Sequence, residues 1–193
     1  MRKITPLITA LALAVPAAAF AQTPTAAVAT SAPLWGMIIA FVGAGMATIL
    51  PSLGSILGVS MVGQAGAGLL TEKPDLAGRV ITLEVLPGSQ GLYGMVISLL
   101  FIFNYAAVIS GKTPIDASQG WILFAAFLPV TITCITSAIY QAKVCTAGMH
   151  MLAKDGKLTG RVITMAALVE TYALLGFLIS FFMLNSFRAS IAG

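Results

Sequence analysis

The chain has 193 residues, of which 59% are hydrophobic and only 8% are charged, with a net charge of +4. A soluble domain carries about 25% charged residues, so this composition excludes a water-facing surface over most of the chain. The basic residues are dispersed and are not interleaved with aromatics, which argues against a nucleic-acid-binding surface. Lipid is therefore the expected environment of most of this protein.

The start of the chain, at 1–21, has the organisation of a secretory signal peptide. Arg2 and Lys3 form a charged start, an apolar stretch covers 4–20, and Ala19-Phe20-Ala21 provides a small-x-small cleavage site. Two prolines inside the apolar stretch disfavour the alternative of a short uncleaved anchor helix. Residues 22–33, rich in Thr, Ala and Pro, are predicted to form an extracytoplasmic tail.

Four apolar segments follow the tail, each long enough to cross a bilayer. A crossing helix needs about 20 apolar residues, and the first segment carries no charge from Ala32 to Leu70. Short polar breaks separate the segments. The predicted spans cover 32–70, 80–109, 121 to beyond 140, and 162–187. The sequence therefore predicts an all-α membrane protein with four transmembrane helices.

The basic residues are divided unequally between the two sides of these spans. Six lie near the first and third breaks, two lie on the opposite side, and Arg2 and Lys3 complete the ten. Because cytoplasmic segments carry the excess of Lys and Arg, the first and third breaks are predicted to face the cytoplasm. This orientation places the N-terminus outside the cytoplasm, in a multi-pass protein of the cell (inner) membrane. The six are Lys73, Arg79, Lys143, Lys154, Lys157 and Arg161, and the two are Lys112 and Arg188.

An internal repeat divides the membrane part into two halves. Gly-Arg-Val-Ile-Thr occurs at 78–82 and again at 160–164, which gives an offset of 82 (160 minus 78). The chain is therefore predicted to be a duplicated helical hairpin, with the first hairpin at 34–111 and the second at 112–193. Fused repeats of this kind assemble around an axis along the membrane normal. The many small residues of the first helix indicate close backbone contact, either within one bundle or, as their density favours, along the inner wall of a ring.

Two carboxylates lie within the predicted spans. Glu84 is five residues from Arg79, roughly 7.5 Å along a helix, so it is close enough to the interface to be a helix-end charge. Glu170 is nine residues from Arg161, roughly 13 Å along the helix and near the middle of the bilayer. A charge at that depth is costly and needs a partner or a cavity, so Glu170 is predicted to be functional.

A polar face on the second span accompanies the deep carboxylate. Leu86, Ser89, Gln90 and Tyr93 follow the i, i+3, i+4, i+7 spacing of one helical face. Pro87 cannot donate a backbone hydrogen bond and is expected to loosen the helix there. These features predict a cation site, with polar contacts between helices as the alternative. On the third span, Gln141 is a weaker candidate for the same site.

Three motifs resemble the proteolipid of V-type (V/A-type) rotary ATPases, the c or K subunit. They are Leu-Pro-Gly-Ser-Gln-Gly-Leu-Tyr-Gly at 86–94, Tyr-Gln-Ala-Lys at 140–143 and Leu-Val-Glu-Thr-Tyr-Ala at 168–173. The resemblance covers residues 34–187 and implies a four-helix subunit with one ion site. The implied site consists of the Leu86 carbonyl, Ser89, Gln90, Tyr93, Gln141 and Glu170, with Ser89 in place of the usual Thr.

The resemblance also implies what this site carries. Five oxygen ligands would be available for Na⁺, from Glu170, Gln90, Gln141, Ser89 and the Leu86 carbonyl, while the Tyr93 hydroxyl would donate to Glu170. A hard cation needs several oxygens, whereas a proton needs a single acceptor, so the sequence favours Na⁺ with H⁺ as the alternative. In the first hairpin Gly88 occupies the position equivalent to Glu170 (170 minus 82), which leaves one deep acid per chain.

The implied partners are identical subunits in a ring, a stator ion-channel subunit bearing an arginine, a central-stalk cap subunit and membrane lipid. Ion flow would be coupled by rotation to ATP synthesis or hydrolysis in a separate soluble head. The chain itself would be non-catalytic, because it has no P-loop and most of its glycines lie in the spans. A proton-only rotor ring, a passive oligomeric pore and a purely structural membrane scaffold stay open as alternatives.

Overall fold

The structure is a computed structural model that describes residues 32–192, and these are helical almost throughout. The signal peptide predicted at 1–21 and nearly all of the predicted tail at 22–33 lie outside the described residues. The helices are α1 (Ala32–Glu72), α2 (Ala77–Val85), α3 (Ser89–Asn104), α4 (Ala106–Ile109), α5 (Ala117–Lys154) and α6 (Thr159–Ala192).

Within residues 32–192, four stretches are long and apolar enough to cross a membrane, by length and composition, which confirms the number of spans predicted there. Short 3₁₀ turns at Pro74–Leu76 and Gly156–Leu158 close the two hairpins at the same end of the molecule. The four stretches are Leu34–Glu72, Pro74–Asn104, Ala117–Lys154 and Gly156–Ile191.

The second span begins and ends earlier in the chain than the hydropathy pattern predicts. The pattern extends it to residue 109, but the helix is interrupted at Tyr105, whose φ of −109° and ψ of 26° depart from helical values. The Tyr105 hydroxyl donates a 2.5 Å hydrogen bond to the carbonyl of Leu184 on α6. The helix is therefore interrupted where Tyr105 is bonded to another helix, and a hydropathy pattern does not reveal a contact of this kind.

Helix α5 begins after a turn at Gly111, which has a φ of +75°. An Asp116–Gln119 capping box starts the helix.

Helices α1 and α5 lie side by side and parallel, so that each residue of α1 lies near its repeat equivalent on α5. A Cβ atom built on Gly54 would stand 2.9 Å from the Ile135 Cα, and one built on Gly43 would stand 3.1 Å from the Phe124 Cα. Each partner is offset by 81 from its glycine (135 minus 54, 124 minus 43). Small residues on α1 therefore serve contact within the chain, because a side chain at these positions would separate the two backbones. Gly45, in contrast, has no atom within 4 Å of such a Cβ.

The two hairpins pack internally in the same way. In the first, Gly66 of α1 meets Val80 of α2, and in the second, Gly148 of α5 meets Val162 of α6. Both pairs are related by the same offset (148 minus 66 and 162 minus 80, each 82). The contact of Gly94 with Pro51 in the first hairpin likewise corresponds to the contact of Gly176 with Thr133 in the second. The duplication seen in the sequence is therefore a duplication of structure.

Two apolar clusters form the interior of the helical bundle, one towards each end. One contains Phe101 and Phe127, whose rings pack edge to face with centroids 5.5 Å apart. The other contains Leu83 and Leu152, both fully buried. Many large apolar side chains instead point outwards, as expected for helices that face lipid or other membrane helices. The predicted site residues lie between the two clusters, which shield them along the axis of the bundle.

Candidate ion-binding site

The α2–α3 helix is broken at Pro87, where the sequence predicts that it is loosened. Residues Leu86–Gly88 form a 3₁₀ turn, and the Ser89 N–H bonds to the Leu86 carbonyl. Helix α1 supports the turn through Ser55, whose hydroxyl accepts from the Gly91 N–H at 2.9 Å and donates to the Gly88 carbonyl at 3.4 Å. The Leu86 carbonyl thereby lies next to polar side chains, an arrangement that broken membrane helices use to coordinate ions.

Glu170 of α6 is half-buried and faces two hydroxyl groups on α3. Ser89 Oγ and the Tyr93 hydroxyl both donate to Glu170 Oε1, at 2.8 and 2.5 Å. Ser89 Oγ also lies 3.0 Å from the Leu86 carbonyl, so its one hydrogen has two alternative acceptors. Because Ser89 and Tyr93 are four residues apart, one face of α3 presents both hydroxyls to the carboxylate.

A pair of fully buried glutamines completes the polar cluster. Gln90 Nε2 donates to Gln141 Oε1 at 2.6 Å, and Gln141 Nε2 lies 3.2 Å from the Ala166 carbonyl and 3.4 Å from Glu170 Oε2. Gln90 Oε1 is buried and accepts no hydrogen bond in the described structure. A buried oxygen without a donor is costly, and a water or an ion is one partner that would satisfy it.

All six residues predicted from the sequence therefore meet at one place. The second span contributes Leu86, Ser89, Gln90 and Tyr93, while α5 contributes Gln141 and α6 contributes Glu170. The assembled oxygens belong to one carboxylate, two amides, two hydroxyls and one backbone carbonyl. Among residues 32–192 no three His, Cys, Asp or Glu side chains cluster as a metal site would require. A single negative charge surrounded by neutral oxygens matches a hard monovalent cation or a proton better than a transition metal.

Ser137 is a member of this cluster that the sequence analysis missed. Its hydroxyl is buried, lies 3.5 Å from Gln90 Nε2 and donates to the Val169 carbonyl at 3.0 Å. Two signals in the sequence could have revealed it. Ser137 lies one helical turn before Gln141, and it is the repeat equivalent of Ser55 (137 minus 82), which supports the broken helix in the first hairpin.

Glu84 lies apart from this cluster. Its side chain is half-buried on α2 and packs against Gly63 of α1, where a Cβ atom on the glycine would stand 2.5 Å from Glu84 Oε1. The structure thus places the two carboxylates at separate sites. The sequence predicts different roles for them, because Glu84 is predicted to lie near the membrane interface and Glu170 near mid-bilayer.

A duplicated membrane hairpin with one deep carboxylate defines the proteolipid class of rotary ATPase subunits. The family of the ATP synthase C subunit matches residues 42–101 and again 124–183, more than half of the chain. The two matches start at the same offset as the repeat, 82 (124 minus 42). The chain belongs to the ATP synthase C-subunit family.

Similar proteins narrow the class further. The chain is 42% identical over 146 residues to the V-type sodium ATPase K subunit of Enterococcus hirae, covering 76% of this chain and 90% of that protein. It is 34% identical over 148 residues to the A-type ATP synthase K subunit of Methanocaldococcus jannaschii, covering 77% and 62%. It is also 26% identical over 149 residues to the V-type proton ATPase 16 kDa proteolipid subunit of Chrysotila carterae, covering 77% and 88%.

These similarities confirm the resemblance noted in the sequence. The protein is a rotor-ring proteolipid of a V/A-type ATPase, a multi-pass membrane protein that works in a ring of identical subunits. A passive pore and a structural scaffold are accordingly not favoured.

Proposed function

We propose that this subunit carries Na⁺ across the membrane on Glu170 and couples its movement to ATP synthesis or hydrolysis through rotation of the ring. The observation that supports this most directly is the buried Gln90 Oε1, an acceptor without a donor, whose side chain is bonded to Gln141 next to Glu170. A proton would need only Glu170 itself, whereas Na⁺ would use the amide, hydroxyl and backbone oxygens gathered there. The similarity to a subunit of a sodium ATPase favours the same ion.

The proposed mechanism follows from the cost of charge in lipid. An ionised carboxylate at mid-bilayer is expensive, but a carboxylate neutralised by a bound cation can pass the lipid as the ring turns. Tyr93 would hold the Glu170 carboxylate in place by donating to Oε1 at 2.5 Å. When Na⁺ enters, Ser89 can turn its hydrogen to the Leu86 carbonyl, 3.0 Å away, and offer a lone pair to the ion.

Exchange of the ion requires partners outside this chain. We assign it to a stator ion-channel subunit whose arginine meets Glu170, while a central-stalk cap subunit connects the ring to the nucleotide-hydrolysing head. We also retain the predicted orientation, with a cleaved signal peptide and an N-terminus outside the cytoplasm, because the six-to-two division of basic residues supports it.

A hydrophobic carbodiimide tests the identity of the ion, because it attacks the protonated form of a membrane carboxylate. Millimolar Na⁺ should slow the labelling of Glu170 at fixed pH and ionic strength, and the same concentration of K⁺ should leave it unchanged. Equal behaviour of Na⁺ and K⁺ across a pH titration would show that the ring carries protons, which is the second candidate and matches the proton ATPase relative.

A further inference from the structure

A groove between α5 and α6 lies on the surface of the chain and borders the ion-binding cluster at Ser137. Its volume is about 420 Å³, and its two tyrosines are largely exposed, Tyr140 at 58% and Tyr172 at 67%. Neither tyrosine has a hydrogen-bonding role in the candidate ion site. The groove is lined by Thr133, Thr136, Ser137, Tyr140, Val169 and Tyr172.

The first hairpin contains the counterpart of this groove, and there it is filled. Subtracting 82 from each lining position gives Pro51, Gly54, Ser55, Gly58, Pro87 and Gln90, which lie between α1 and α3. Helix α5 occupies that counterpart. A Cβ atom on Gly54 would stand 2.9 Å from the Ile135 Cα, and one on Gly58 would stand 3.1 Å from the Ala138 carbonyl oxygen. Gln90 reaches α5 as well, through its 2.6 Å hydrogen bond to Gln141.

The chain also presents the surface that would fill the open groove. The residues that enter the first groove, Ile135 and Ala138, correspond to Leu53 and Ile56 of α1 under the same shift. Leu53 is 47% exposed and Ile56 is 63% exposed, so the other helices of the chain leave both side chains largely uncovered. The chain thus carries an apolar ridge on α1 and an open groove between α5 and α6, two surfaces that share no residue.

We propose that the α5–α6 groove receives α1 of a second copy of this chain, with its Leu53 against Thr136 and its Ile56 against Tyr140. Because ridge and groove are different surfaces, the contact is heterologous and continues from copy to copy until the rotation closes a ring. The inference specifies which faces and which register join neighbouring subunits. It rests on the ring assembly of the family and not on the ion carried by Glu170.

The contact between copies differs from the contact within a chain. Gly54 and Gly58, which allow the backbones of α1 and α5 to approach closely, correspond to Thr136 and Tyr140 in the open groove. Side chains at these two positions hold the neighbouring backbone further away. The ring therefore alternates a close helix pair inside each chain with a wider pair between chains, and the wider pair is filled by aromatic and aliphatic side chains.

Disulfide formation between two single-cysteine chains tests the register. One chain carries Thr136→Cys, the other carries Leu53→Cys, and the two bear different tags, so that only a bond between copies gives a dimer with both tags. The control pairs Thr136→Cys with Val42→Cys, another exposed position on α1. Val42 lies eleven residues from Leu53 (53 minus 42), roughly 16 Å along the helix. Native Cys134 and Cys145 are fully buried and remain in place, with the unsubstituted chain as background.

The proposal expects at least tenfold more mixed-tag dimer with Leu53→Cys than with Val42→Cys in assembled rings. A second pair, Tyr140→Cys with Ile56→Cys, should behave in the same way. Equal yields with the two α1 positions, or no mixed-tag dimer although rings assemble, would overturn the register. Rapid reaction of Thr136→Cys with a lipid-soluble maleimide in assembled rings would show that lipid fills the groove, which also overturns it. Na⁺ protection of Glu170, measured on the same rings, reports independently on the proposed ion.

Discussion

Replacement of Gln90 by Leu is the sharpest test of the candidate ion site, because Gln90 touches the cluster without touching the carboxylate. Its hydrogen-bond partners in the described structure are Gln141 and Ser137, and its own oxygen is free. Leucine keeps the apolar volume and removes the amide. We therefore expect Na⁺ binding to weaken while the chemistry of Glu170 in the absence of Na⁺ changes little.

The size of the effect follows from the contacts that are lost. Interactions of a neutral group with a charge contribute about 1.5–3 kcal/mol, and each 1.4 kcal/mol is tenfold in affinity. The Na⁺ concentration that half-protects Glu170 from carbodiimide should rise by roughly 10- to 150-fold. The substitution also leaves the buried Gln141 Oε1 without its donor, a cost of about 1–3 kcal/mol to the folded subunit. Ring yield therefore has to be measured beside labelling.

The assay compares labelling rates over a Na⁺ titration at fixed pH and ionic strength. Gln64→Leu is the matched control, because Gln64 is an exposed glutamine on α1 that bonds only to Ser60 in the described structure. Its half-protecting concentration should equal that of the unsubstituted ring. If Gln90→Leu rings assemble and are protected at the original Na⁺ concentration, Gln90 is not a ligand and the buried-oxygen argument is wrong.

Three further predictions concern the carboxylates and the N-terminus. Glu170→Gln should abolish coupled ion transport in reconstituted vesicles, while Glu84→Gln should retain most of it and both rings should still assemble; equal losses would mean that the two roles are wrongly assigned. Tyr93→Phe removes the 2.5 Å hydrogen bond that the Tyr93 hydroxyl donates to Glu170 Oε1 and that holds the carboxylate in place. The Na⁺ concentration that half-protects Glu170 from carbodiimide should therefore rise by roughly tenfold or more, since a hydrogen bond to a charged group contributes about 1.5–3 kcal/mol, and an unchanged concentration would remove Tyr93 from the site. Intact-mass analysis should find Gln22 at the mature N-terminus, and a dominant Met1 terminus would contradict cleavage but not the orientation.

The helices, their number and the duplication could be predicted from the sequence. In lipid every backbone polar group must be satisfied within the chain, so a long apolar segment has little choice but to form a helix. The repeat needed only the comparison of 78–82 with 160–164, and the depth of Glu170 followed from counting residues. The broken helix at Pro87 was predictable for an equally local reason, since proline lacks the N–H that the ladder requires.

The relations between helices could be predicted only in part. The face shared by Ser89 and Tyr93 was visible in the sequence, but whether Glu170 lies opposite that face depends on the rotation of α6 about its own axis. Gln141 is the weakest member on sequence grounds, because nothing in its own helix reveals that it is fully buried against Gln90. Ser137 was overlooked although its spacing from Gln141 and its equivalence to Ser55 in the repeat pointed to it.

Helix rotation and register are set by where small residues let backbones meet. Gly54 against Ile135 aligns α1 with α5, and Gly176 against Thr133 aligns α6 with α5. These contacts join residues that are distant in the chain, so no local pattern encodes them. The sequence by itself determined which residues lie deep in the membrane and which helix is broken. The tertiary structure decided that Gln90, Gln141 and Glu170 share one buried cluster, because only packing between helices brings their side chains together.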